Sequence, residues 1–105
     1  MEDRKRDLQS SIFYPRLKPV TPTSTMNNSD LIVQLLKEAG VRWVFGVPSG
    51  PVLPLIEALR QSSVPFILTA SETSAGFMAS AVGYLTGVPG VCVSTVGPGA
   101  TNLST

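Results

Sequence analysis

One carboxylate and three short loops carry the residue types in this sequence that are suited to chemistry. Glu72 follows the apolar run "PFILTA" and is the only charged residue between positions 61 and 105. A partly buried carboxylate with no cation beside it can share a proton with a nitrogen atom of a ligand. An acid is also favoured in the first turn of a helix by the helix dipole, which is a purely structural role. The position of Glu72 alone leaves both interpretations open.

The three loops are "GVPSGP", "ASE" and "VGPGATN", and each follows a short apolar run. The two glycine-rich loops lack the G-x-G-x-x-G pattern and the lysine of a P-loop. Each could present backbone N–H groups to an anion, or could simply form a tight turn between a strand and a helix. Both roles stay open on the residue types alone.

Composition excludes several classes of function. The chain has no histidine, which excludes a histidine-based catalytic triad or zinc site within it. Its single cysteine, Cys92, excludes an internal disulfide and is typical of a small buried apolar side chain. The net charge of +1 is too small to argue for nucleic acid, and no run approaches the ~20 apolar residues of a membrane span. Neither nucleic acid nor a membrane is therefore expected as a partner. We expect a cytoplasmic location, with a mitochondrial one left open.

The sequence divides near Asn28 into a polar arm and an ordered part. Residues 1–28 hold eight of the fifteen charged residues, mixed with proline, serine and threonine, and predict a flexible N-terminal arm. Met26 lies at the junction and is an alternative start of the protein. Residues 29–105 form the ordered part, in which helical and strand-like patterns alternate.

The ordered part predicts one helix followed by three strand–helix pairs. Asn28 or Ser29 is expected to cap the first helix, and Gly40 to end it. Strands are predicted over 43–47, 65–70 and 90–96, and helices over 52–62, over 73–87 and from "GPGATN" onward. Apolar strands that alternate with helices indicate an α/β fold with a three-layer, doubly wound parallel sheet. Ligands of such sheets bind at the carboxyl ends of the strands, where the three loops lie.

The helix predicted over 73–87 contains two sets of residues with different expected roles. The small residues suggest close packing, either within the chain or across a subunit interface: Gly76, Ser80, Gly83 and Gly87. The large apolar residues are expected to fill the core: Phe77, Met78, Tyr84 and Leu85. Because the sheet has only three strands, we also expect unpaired edges and exposed apolar surface.

Two long segments carry a resemblance to a known family. "VFGVPSGPVLPLIEAL" and "SETSAGFMASAVGYLTGVPGVCVSTVGPGATNLST" resemble the N-terminal pyrimidine-binding domain of thiamine-diphosphate-dependent 2-oxo-acid enzymes, in particular their acetolactate synthase-like branch. The resemblance covers about residues 29–105. Its specific part is the combination of G-V-P-x-G, an isolated glutamate before a small-residue helix, and G-P-G-A-T-N.

This resemblance implies a set of site residues and cofactors. The family glutamate, matched by Glu72, hydrogen-bonds N1′ of the cofactor's aminopyrimidine, whose 4′ nitrogen then deprotonates the thiazolium carbon that attacks the 2-oxo acid. Pro48, Pro98 and Asn102 match positions that border the pyrimidine pocket. Mg²⁺ and the diphosphate are held by a later domain, and FAD is a further cofactor open to the full-length enzyme. The resemblance also implies a homodimer or tetramer, with a small-molecule 2-oxo acid as substrate.

Three positions depart from the family pattern. Ser71 stands where many acetolactate synthases have histidine. Gly50 stands where pyruvate decarboxylases have an acid, and Ser49 where they have glycine. These departures favour a synthase-like carboligase over a simple decarboxylase and leave a related lyase or decarboxylase open.

The resemblance ends inside the family's domain. The chain is therefore expected to be a fragment or a truncated gene model that neither binds the cofactor tightly nor catalyses alone. The alternative is a non-catalytic α/β binding or subunit-pairing module.

Overall fold

Helices and strands alternate along residues 26–104, the part of the chain that the computed structural model describes. Most of the predicted N-terminal arm, residues 1–25, lies outside these described residues, so the boundary near Asn28 stays a prediction. The elements, in chain order, are α1 (Asn28–Glu38), β1 (Val44–Gly46), a 3₁₀ turn (Gly50–Val52), α2 (Leu53–Gln61), β2 (Phe66–Leu68), α3 (Glu72–Thr86), β3 (Val91–Val93) and α4 (Pro98–Asn102).

The three strands form one parallel sheet in the order β2–β1–β3. Val44, at the start of the central strand, pairs with Phe66 of β2 and with Val91 of β3. Each strand has three residues, fewer than the sequence predicted. The order of elements and the parallel sheet confirm the predicted α/β fold.

Helices cover both faces of this sheet, as predicted for a three-layer arrangement. On one face, α1 and α2 pack Val33 and Leu59 against Val44 in a buried cluster. On the other face, α3 packs Ala75 and Ala79 against Phe45. Successive residues of β1 supply the two cores because side chains of a strand point alternately to opposite faces.

Helix α1 begins one or two residues earlier than predicted. The Asn27 side chain accepts a hydrogen bond from the backbone N–H of Asp30 (2.9 Å), and the Asp30 carboxylate accepts one from the Asn27 N–H (3.2 Å). This reciprocal capping box makes Asn27 the cap, rather than Asn28 or Ser29. Gly40, with φ at 87°, ends the helix as predicted, and the Val41 N–H reaches back to the Leu36 carbonyl (3.0 Å).

Helix α3 approaches the sheet so closely that its inward side chains must be small. A Cβ atom on Gly90, which precedes β3, would overlap the backbone carbonyl oxygen of Ala79 in α3. Within the small-residue stripe, Gly76 faces Leu103, Gly83 faces the Gly90 loop, and Gly87 ends the helix in a left-handed conformation. These glycines therefore serve packing and termination inside the chain.

The prediction that the large apolar residues of α3 fill the core is wrong. Phe77 is 70% exposed, Met78 46%, Tyr84 90% and Leu85 79%. The reason is the close approach described above, because alanines occupy the inward face and the large side chains point outward. Leu68 at the end of β2 and Val96 after β3 are also exposed, in line with the expected apolar surface. No helix within residues 26–104 is long and apolar enough to cross a membrane.

Candidate functional site

The carboxyl ends of the three strands meet at one edge of the sheet, and each is followed by one of the predicted loops. Residues 47–50 follow β1, residues 69–71 follow β2, and residues 94–97 follow β3. We call these three segments the rim loops. Because β1 lies between β2 and β3, its loop lies between the other two at this edge.

Hydrogen bonds in the β2 rim loop fix the start of α3 and with it Glu72. The N–H of Thr69 donates to the Gly46 carbonyl (2.9 Å), which continues the parallel ladder beyond β2. The Thr69 hydroxyl then donates to the Ser71 carbonyl (2.8 Å), and the Ser71 hydroxyl accepts from the Ser74 N–H (3.2 Å). Ser71 is therefore the N-cap of α3, and Glu72 is the first helical residue. The capping role belongs to Ser71, while the helix dipole still favours the Glu72 carboxylate.

The Glu72 side chain is half-buried and points toward α4. The Asn102 side-chain amide donates to Glu72 Oε2 (3.3 Å). The Thr73 hydroxyl donates to the Asn102 backbone carbonyl (2.7 Å), which ties the end of α4 to the start of α3. Glu72 thus has a neutral hydrogen-bond partner thirty residues away in the sequence, where the residue types predicted only that no cation would lie nearby.

Glycine at position 99 lets α4 pack closely against the β3 rim loop and this carboxylate. A Cβ atom there would lie 2.9 Å from both Ser94 Oγ and Thr95 Cγ2, and 3.4 Å from Glu72 Oε1. Gly46 has a comparable role in the sheet, because a Cβ there would lie 2.5 Å from the Val93 carbonyl oxygen. Side chains at these two positions would displace the β3 rim loop or the β1–β3 pairing.

The four residues predicted for the site fall into two pairs. Glu72 and Asn102 are in direct contact through the hydrogen bond described above. Pro48 and Pro98 are exposed residues at two different places on the rim. Pro48 lies in the β1 rim loop, and Pro98 is the first residue of α4, directly after Gly97 at φ 69°. The structure therefore brings Glu72 and Asn102 into contact, and it places Pro48 after the end of β1 and Pro98 after the loop that follows β3.

Sequence reasoning missed one polar group on the rim, the hydroxyl of Ser49. Its Oγ atom is buried and has no hydrogen-bond partner, a combination that no other side chain in residues 26–104 shows. An unsatisfied buried hydroxyl costs about 1–3 kcal/mol. The signal was present in "PSGP", because a capping serine normally accepts from the N–H of the second helical residue, which here is Pro51.

Charge is almost absent around the site. From the rim loop after β2 to the end of the chain, Glu72 is the only ionisable side chain other than Tyr84 and Cys92. A closely bonded ion pair occurs on α2 instead, where the Arg60 guanidinium hydrogen-bonds Glu57 at 2.7 and 2.8 Å and lowers the pKa of Glu57 to about 2. Within residues 26–104 no group of three or more His, Cys, Asp or Glu side chains could hold a metal ion. The site therefore offers one carboxylate, hydroxyls, an amide and backbone groups.

Comparisons with known proteins identify the family to which the chain belongs. The family described as "Thiamine pyrophosphate enzyme, N-terminal TPP binding domain" matches residues 26–105. A probable 2-ketoarginine decarboxylase of Pseudomonas aeruginosa is 39% identical over 102 residues, which are 97% of this chain and 18% of that protein. An acetolactate synthase of Bacillus subtilis is 46% identical over 77 residues, which are 73% of this chain and 14% of that protein.

A probable acetolactate synthase large subunit of Methanocaldococcus jannaschii is 44% identical over 80 residues, which are 76% of this chain and 14% of that protein. The chain therefore spans less than a fifth of the length of each of these relatives. The alignment with the decarboxylase also takes in most of residues 1–25, whereas the family match begins at Met26.

Proposed function

Because the chain belongs to the thiamine pyrophosphate enzymes, as their N-terminal TPP-binding domain, we propose that its rim loops bind the aminopyrimidine ring of thiamine diphosphate. In this proposal Glu72 accepts a proton from a ring nitrogen of the cofactor or shares a proton with it. The complete enzyme acts on a small 2-oxo acid by decarboxylation, followed by condensation or release of the remaining carbon unit.

One observation carries the proposal, namely that Glu72 is held on the rim by a partner that cannot neutralise it. Asn102 contacts Oε2 and carries no charge, so this contact does not engage the carboxylate in an ion pair and leaves it suited to a ring nitrogen of the cofactor. Oε1 lies beside Gly99, which has no side chain to contact it. A carboxylate with uncharged neighbours fits an aminopyrimidine, which has a nitrogen acceptor and an amino donor.

The side chains of the rim have distinct tasks in this proposal. Asn102 orients the Glu72 carboxylate, and Ser71 holds the helix start that carries it. Pro48 and Pro98 border the ring from the β1 and β3 sides. When bound, the cofactor supplies a thiazolium ring that accepts the electrons released as the 2-oxo acid loses CO₂.

We propose that other parts of the enzyme bind the metal ion and the diphosphate group of the cofactor. Residues 26–104 contain no set of side chains suited to Mg²⁺, so we assign the metal and the diphosphate to a domain outside them. We propose no role for them in binding FAD. The relatives support a 2-oxo acid as substrate, since one is called a 2-ketoarginine decarboxylase and others acetolactate synthases. The short span of the chain relative to these proteins supports its working as one part of a longer polypeptide.

A second candidate function rests on the outer face of α3. Phe77, Tyr84 and Leu85 are exposed there, and contiguous exposed apolar side chains mark contact surfaces. A non-catalytic module that pairs with another subunit would use this face. The same face supports a homodimer or tetramer of the complete enzyme.

The decisive experiment replaces Glu72 with Gln in the full-length polypeptide that carries this domain. Hydrogen–deuterium exchange at the thiazolium C2 of bound thiamine diphosphate is expected to slow by about 10²- to 10⁴-fold, because glutamine cannot hold the ring proton. Glu57→Gln on α2 is the matched control and is expected to leave the exchange rate unchanged. Near-normal exchange in the Glu72 variant would remove this carboxylate from the chemistry. A parent protein that binds a second subunit but neither binds nor activates the cofactor would favour the pairing module.

A further inference from the structure

The Ser49 hydroxyl has no partner for a reason that lies in the sequence around it. Ser49 is the N-cap of the 3₁₀ turn, but its side chain makes no capping hydrogen bond. Pro51 has no N–H to donate, and the Val52 N–H already donates to the Ser49 backbone carbonyl (3.1 Å). The helix start therefore gives this hydroxyl nothing to bind.

Five other hydroxyls near the rim make hydrogen bonds inside the chain, namely those of Thr69, Ser71, Thr73, Ser94 and Thr101. Ser49 differs from all five, because its Oγ is buried and unbonded. Its hydroxyl is therefore a buried donor that makes no hydrogen bond within the described residues.

Its place in the sheet puts this donor near the middle of the rim. Ser49 lies three residues after the end of β1, the central strand, between the rim loops that precede α3 and α4. None of the three rim loops contains Lys or Arg, and the chain has no His. These loops can therefore contact a negatively charged part of a ligand only through neutral donors.

We propose that Ser49 is a substrate-binding residue whose hydroxyl donates a hydrogen bond to the carboxylate of the 2-oxo acid. The assignment rests on the proposed function, and it gives the substrate a contact separate from the contact of Glu72 with the cofactor. The hydroxyl oxygen is enclosed in the present conformation, while the residue as a whole stays half-exposed. Rotation about the Cα–Cβ bond of Ser49 into another staggered rotamer moves the oxygen without moving the backbone.

A neutral donor suits a carboxylate that has to leave as CO₂. A lysine or arginine would stabilise the charged ground state strongly, and this stabilisation would be lost as the negative charge moves away from the carboxylate. A serine hydroxyl orients the group with a weaker ground-state interaction. The rim loops lack cations and contain one buried hydroxyl without a hydrogen-bond partner. Both features favour a neutral hydrogen bond to the carboxylate of the substrate.

The test measures substrate affinity, cofactor affinity and stability in the same variant. The full-length polypeptide is assayed with thiamine diphosphate, Mg²⁺ and three 2-oxo acids, namely pyruvate, 2-oxobutyrate and 2-ketoarginine. Ser49→Ala is expected to raise KM for the acid that the parent uses by about ten- to a hundred-fold, the effect of losing a hydrogen bond to a charged group. The Kd for thiamine diphosphate is expected to stay unchanged. The Tm is expected to be unchanged or higher, because the variant removes a buried hydroxyl that has no partner.

Two further variants separate this role from a structural one. Ser49→Cys keeps a similar shape with a weaker donor and is expected to give an intermediate KM. Ser63→Ala removes an exposed hydroxyl from the loop before β2 and is expected to match the parent in KM. An unchanged KM in Ser49→Ala, or a KM increase that comes with a lower Tm and weaker cofactor binding, overturns the assignment. A parent that turns over none of the three acids overturns the proposed function as well, which distinguishes the two failures.

Discussion

The helices on the two faces of the sheet differ in the size of the side chains that they turn toward it. Helices α1 and α2 turn large aliphatic side chains such as Leu59, which is 1% exposed, toward the sheet and charged side chains toward solvent. Helix α3 turns alanines toward the sheet and exposes Phe77, Tyr84 and Leu85. The α1–α2 face buries its large core side chains within residues 26–104, whereas α3 leaves its large apolar side chains exposed.

This difference bears on the candidate site, because the site carboxylate lies on the helix whose outer apolar face is exposed. Glu72 is the first residue of α3, so the carboxylate and the uncovered apolar face belong to the same helix. A protein layer packed on that face would also hold the helix that positions the carboxylate. The three predictions below test this contrast, in order of decreasing effect on stability.

The largest effect is expected where α3 comes closest to the sheet. Gly90→Ala places a Cβ atom against the backbone carbonyl of Ala79, and backbone cannot yield as a flexible side chain can. We expect a loss of about 4–5 kcal/mol in the free energy of unfolding, measured by urea denaturation. Gly50→Ala is the matched control, because nothing lies within 4 Å of its added Cβ and its φ is not positive. A Gly90 variant as stable as the Gly50 variant would show that α3 is not held this close.

The second prediction compares a buried leucine on the α1–α2 face of the sheet with an exposed leucine on α3. Leu59→Ala removes a fully buried side chain from the α1–α2 face and is expected to cost about 3 kcal/mol of unfolding free energy. Leu85→Ala, on the outer face of α3, is expected to change the stability of the monomer by no more than about 0.5 kcal/mol. It should instead weaken self-association, measured by sedimentation over a range of protein concentrations. Equal losses of stability in the two variants would contradict the contrast between the faces.

The smallest effect concerns the ion pair on α2, for which α3 has no counterpart. Arg60 lowers the pKa of Glu57 from 4.5 to about 2 in the folded protein. A lowered pKa stabilises the folded state above the unfolded pKa, and this contribution is lost as the pH falls from about 4.5 toward 2. The parent should therefore lose its small stability advantage over Glu57→Gln in that range, measured as urea midpoints from neutral pH down to pH 2. An advantage that grows as the pH falls would reverse the expected sign.

The order of elements could be predicted from the sequence because it depends on local patterns. Gly40 and Gly87 end their helices as expected, since glycine tolerates the left-handed conformation that a helix end requires. The cap of α1 was placed one or two residues late, because Asn27, Asn28 and Ser29 are all good caps. Only the side-chain bond from Asn27 to the Asp30 N–H distinguishes them.

Contacts between distant residues could not be predicted in this way. The hydrogen bond between Glu72 and Asn102 requires the turn after β3 to bring α4 back to the start of α3. The exposure of Phe77 and Tyr84 depends on how closely α3 lies to the sheet, which a hydrophobic pattern does not specify. The roles of Glu72, Pro48, Pro98 and Asn102 toward the cofactor stay predictions.

Within residues 26–104, the first strand to be synthesised is the central strand of the three-stranded sheet. β1 leaves the ribosome with Val44 and Phe45 still without neighbours, and its second partner, β3, follows roughly 50 residues later. At about 5–20 residues per second, that interval is roughly 2–10 seconds. During this time the apolar centre of the nascent chain is open to chaperones, so the pace of translation through residues 47–93 should influence how much of the protein folds correctly.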